Sequence, residues 1–87
     1  MTEARAVTLP PEDRWLHLGS TPETEPVEVV LRSFDRPVLF AVGKNPNRPD
    51  GESVTVPPGG GARLTGLHFF AKPVRAGEPS RILVRGL

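Results

Sequence analysis

Apolar residues recur along this chain mostly at every second position, the period of a half-buried β-strand. Arg5-Ala-Val7-Thr-Leu9 alternates and stops at Pro10-Pro11. It predicts an edge strand, or an arm that pairs with a neighbouring sheet, since proline is confined to such places. Asp13 to Leu18 predicts a second strand, with Trp15 on one face and Leu16 and Leu18 on the other. Val27-Glu-Val29-Val30-Leu31-Arg32 sets Val27, Val29 and Leu31 on one face and Glu28, Val30 and Arg32 on the opposite one, open to solvent or a partner. Val38 to Val42 is apolar on both faces, as a central strand is. Ser53 to Val56, Ala62 to Leu64, Leu67 to Lys72 and Arg81 to Arg85 complete the set.

Turn-forming residues separate these segments. Gly19 to Pro26 is an acidic, turn-rich loop, and Asp35-Arg36-Pro37 is a turn. Lys44 to Glu52 is the longest loop, rich in Asn, Asp, Pro and Gly. Pro57 to Gly61 is a sharp connection, and Val74 to Pro79 is another turn. Pro and Gly together supply 20 of the 87 residues, and the longest run free of both, Val27 to Arg36, has ten. A mean helix needs about eleven or twelve, so bundles, coiled coils and membrane-spanning helices are excluded. The expectation is an all-β fold: a small antiparallel β-sandwich, jelly-roll-like, of about seven or eight short strands. Residues 1–12 form an arm or edge strand and residues 13–87 a single domain.

Charge adds a second layer. The net charge is only +1, but residues 1–43 carry −3 and residues 44–87 carry +4. Such asymmetry suits electrostatic complementarity between neighbouring copies. The absence of cysteine excludes disulfide scaffolds and thiolate metal sites. Met1 to Leu9 has no apolar core of the signal-peptide kind, so the expectation is that the protein stays where it is made.

Candidate chemistry is sparse. His17 and His68 are far apart, with no metal-ligand motif around either, and read as ordinary surface or half-buried histidines. Asp13, Asp35 and Asp50 each sit beside Arg, Pro or Gly, which suits turns and ion pairs better than acid–base pairs. No serine lies in a nucleophile elbow. The Gly59-Gly-Gly61 run lacks the Lys and Ser/Thr of a phosphate loop and reads as a tight turn. Adjacent Phe69 and Phe70 point to opposite faces, so both cannot stack on one ligand. One belongs to the core; the other, Phe70, meets a second sheet or a neighbouring subunit. No enzymatic activity, cofactor or metal is expected. The loop offers Lys44, Arg48 and Asp50 for docking, stiffened by Pro46 and Pro49. Arg48 is the expected anchor onto carboxylates such as Glu23, Glu25 and Glu28 of an adjacent copy. Trp15 is a core residue by default and an interface residue otherwise.

The order of segments over residues 27–87 carries a resemblance. A strand Val38-Leu-Phe-Ala-Val42 precedes a Pro/Asn-rich loop and a short strand closed by Val56-Pro-Pro-Gly-Gly60. Leu67-His-Phe-Phe-Ala71 follows, and a Gly-containing turn leads into Arg81-Ile-Leu-Val-Arg85. This order resembles small all-β virion structural proteins of tailed bacteriophages and gene transfer agents, of the head-decoration and head-spike-base type. The resemblance implies a homo-oligomer (trimer or pentamer) on a virion assembled in the bacterial cytoplasm, bound to major capsid protein or another virion protein. It implies no catalytic residues, and neither membrane nor nucleic acid is expected as a partner. A small β-barrel binding module for nucleic acid or carbohydrate is the alternative.

Overall fold

The computed structural model describes residues 4–21 and 25–87. Glu23, expected above to offer a carboxylate, lies outside the described residues, as does the middle of the acidic loop. Eight strands form: β1 (Arg5–Leu9), β2 (Leu16–Ser20), β3 (Val27–Ser33), β4 (Val38–Gly43), β5 (Ser53–Val56), β6 (Gly61–Gly66), β7 (His68–Pro73) and β8 (Ser80–Arg85). No helix occurs among the described residues.

The strands build two four-stranded antiparallel sheets, ordered β1-β8-β3-β6 and β2-β7-β4-β5. β1 pairs β8, β2 pairs β7, β3 pairs β6 and β4 pairs β5. The chain is thus one long antiparallel hairpin with its tip between β4 and β5, rolled so that β3 also meets β8 and β4 also meets β7. That wrapping is the jelly roll. The N-terminal strand, an edge strand of the first sheet, pairs within its own chain and buries Leu9 fully.

Alternation places the core. Leu9, Val29, Leu31, Leu64, Ile82 and Val84 of the first sheet meet Leu18, Val38, Phe40, Val42, Val56, Phe69 and Ala71 of the second. Because i and i+2 share a face, the intervening residues form two outer faces. The Pro57-Pro58-Gly59-Gly60 turn aligns β5 with β6: Gly60 N–H donates to the Pro57 carbonyl at 2.9 Å. Gly59 takes φ 77°, which only glycine adopts at low cost, as the third position of a type II turn requires. Buried Ser33 secures the end of β3 to this turn by donating its hydroxyl to the Pro57 carbonyl at 2.8 Å.

Candidate functional site

The two outer faces differ in chemistry. On the first sheet, β3 presents Glu28, Val30 and Arg32, β6 presents Arg63 and Thr65, and β8 presents Arg81, Leu83 and Arg85. The register aligns Arg63, Val30 and Arg85 in one row across three strands. Arg32 and Leu83 are paired in the next row. Adjacent strands lie about 4.8 Å apart, so Arg63 and Arg85 flank Val30 at roughly 10 Å from each other. Val30 is 38% exposed and Phe34, just beyond β3, 45% exposed. The Arg81 guanidinium lies 5.8 Å from the centre of the Phe34 ring, and Phe34 N–H donates to the Arg81 carbonyl.

This face therefore holds four arginines, one glutamate and an exposed apolar strip. Among the described residues none of the four arginines forms an ion pair; the pairs seen are Arg14–Glu12, Arg36–Glu78 and Lys72–Asp13. Four like charges on one sheet face repel one another, so an anion placed there would be attracted. Arginine serves that purpose well, since its stem packs on apolar surface while its planar fork grips carboxylate or phosphate.

The outer face of the second sheet is partly roofed by its own chain. The loop after β4 folds back against Gly43, beside Phe70, which is 2% exposed. Phe70 is thus on the outer face, as expected from its alternation with Phe69, but its cover comes from the same chain. Gly43 permits this approach: a Cβ there would lie 2.5 Å from the Arg48 carbonyl oxygen and 3.1 Å from the Phe70 ring. The loop is shaped by local bonds. The Asp50 carboxylate accepts from Lys44 N–H at 2.9 Å, Asn45 Oδ1 accepts from Asn47 N–H at 2.9 Å, and Asn45 bridges Arg48. Asp50 therefore shapes the hairpin tip, while the side chains of Lys44 and Arg48 remain exposed. Lys44, Asp50, Val42, Gly66 and Leu67 also border an open apolar cleft of about 350 Å³ beside the tip.

Next to Phe70 stands a pair that sequence spacing did not reveal. His17 and His68 approach to 3.0 Å between Nε2 and Nδ1. The His17 and Phe70 rings meet edge to face, with centroids 5.2 Å apart and planes at 62°. Register brings the two together: Phe70 pairs His17, and His68 pairs Ser20, with a bulge between His17 and Gly19. Partial burial and the neighbouring His68 hold the His17 pKa below its ordinary value. Trp15 is half-buried further along the sheet, with the Lys72 ammonium 5.0 Å from its ring centre. Lys72 in turn reaches Asp13 at 3.4 Å.

Compared with known protein families, curated proteins and solved structures, the chain matches none.

Proposed function

We propose that this protein is a non-enzymatic virion structural component, of head-decoration, head-spike-base or related head or tail type, that docks through the outer face of its first sheet. The observation that carries this is the unpaired arginine set Arg32, Arg63, Arg81 and Arg85 around exposed Val30 and Phe34. Arginines and aromatics around an apolar centre are the composition of protein–protein contact surfaces. The jelly roll supports the same assignment by analogy, because capsid domains use it, as do lectins and cupins. The order of segments over residues 27–87, which are strands β3 to β8 of that roll, fits the same reading. The partner is an acidic surface of major capsid protein or another virion protein. Copies associate as a trimer or pentamer, with Arg48 and Lys44 at the exposed hairpin tip free to meet acids of the next copy.

Arg63→Glu combined with Arg85→Glu reverses the charge of the central row without touching the core. Wild-type chain should co-sediment with purified particles and be released progressively by salt, whereas the double variant should fail to bind. Equal retention of both proteins on the particles would overturn the assignment.

The same arginines favour a second reading, a nucleic-acid-binding module, because guanidinium groups grip phosphate as well as carboxylate. Fluorescence polarisation with a single-stranded oligonucleotide at physiological salt distinguishes the two. The virion assignment expects no saturable binding there; tight binding lost in the double variant would replace it with the second reading.

A further inference from the structure

We propose that His17 and His68 form a two-histidine site for a divalent transition-metal ion on the outer face of the second sheet. The backbone sets the geometry. In β2 the register moves from His17↔Phe70 to Gly19↔Phe69, leaving Leu18 as the extra residue of a bulge. Bulges re-aim side chains, and here two rings on neighbouring strands face each other nitrogen to nitrogen. Those nitrogens, Nε2 of His17 and Nδ1 of His68, are 3.0 Å apart.

That separation is close to what a metal ion asks for. Zinc–imidazole bonds of about 2.0–2.1 Å at a tetrahedral angle set the two nitrogens roughly 3.3 Å apart. A few tenths of an ångström of opening converts the ring–ring contact into a chelate. Either imidazole nitrogen is a competent ligand once it presents a lone pair, so the pair needs only the tautomers that carry N–H on the outward nitrogens. The ring contact with Phe70 at 5.2 Å, 62° from coplanar, supports His17 from below. Phe70 is itself buried, so the ring beneath His17 is held in place.

The donor set selects the class of ion. Two imidazoles, with no third His, Asp, Glu or Cys grouped with them among the described residues, suit Zn²⁺, Ni²⁺ or Cu²⁺ and not the oxygen-seeking Mg²⁺ or Ca²⁺. The contact lies at the surface, so water completes the coordination sphere.

The test is Zn²⁺ titration of the untagged chain near neutral pH, followed by calorimetry and by imidazole NMR. The chain has only two histidines, so their ring signals are readily followed. Both rings should shift together and saturably with Zn²⁺, and Mg²⁺ should leave them unmoved. His17→Asn and His68→Asn should each weaken Zn²⁺ binding by about tenfold or more, since each removes one of two ligands. Histidine signals that stay put in the wild-type chain would overturn the site whatever the variants do. So would Zn²⁺ affinity unchanged in both variants with their circular dichroism intact.

Discussion

Single residues decide how the second sheet is covered. Gly43 lies where the loop after β4 folds back beside Phe70, and a methyl group there meets the Arg48 carbonyl and the Phe70 ring together. The Arg48 backbone cannot yield without lifting the loop. Gly43→Ala should therefore cost about 1–3 kcal/mol, the usual range for overpacking, and expose Phe70. Thermal melting and hydrogen exchange at residues 44–50 check both effects; an unchanged melting temperature would show that the loop is not held there. His17 adds a pH dependence in metal-free protein. Its folded-state pKa is depressed, so the unfolded chain binds the proton more readily. Stability should be intact above the ordinary value of 6.5 and decline as pH falls from there through the lower folded value. His17→Asn should flatten that segment of the stability–pH curve, and an identical slope in the variant would exclude the histidine as its source. Phe69 and Phe70 were separable from sequence because alternation needs only neighbours. The His17–His68 pair was not, since 51 positions separate them and only the β2–β7 register with its bulge makes them adjacent.

At the level of elements, a strand stands at every expected segment, most of them marked by alternation and β4 by its unbroken apolar run, while β6 runs from Gly61 to Gly66, beyond the expected Ala62 to Leu64. β2 also shifts. Its expected start at Asp13 moves to Leu16, as Glu12 to Arg14 instead form a local bend in which Arg14 N–H donates to the Glu12 carbonyl. Pairing was less legible than position, because β1 with β8 joins opposite ends of the chain and no local signal encodes it. β1 now has a specific role: it covers the edge of β8 and buries Leu9 against the core. Leu9→Ala should cost about 2–5 kcal/mol, the range for emptying a fully buried leucine site. Removing residues 1–9 should go further, exposing the β8 edge and promoting aggregation. A truncated chain that melts like the full one would mean that the segment serves only as an arm.

For the whole molecule, the roll gathers cations from both halves of the chain onto one face. Arg63, Arg81 and Arg85 come from the basic half of the chain, and β3 contributes Arg32 to the same face from the acidic half. Composition could show that charge was uneven but not that four arginines share one surface, because that depends on which strands the roll makes neighbours. The core stays clear of charge, so substitutions on this face should leave stability within about 0.5 kcal/mol while altering attachment. The most direct measurement is a cryo-EM reconstruction of a particle carrying this chain. The expected result is a jelly roll whose β6-β3-β8 face, with Arg63, Val30 and Arg85 at its centre, lies against an acidic surface of the particle. A reconstruction with that face turned to solvent and the chain held elsewhere would contradict it.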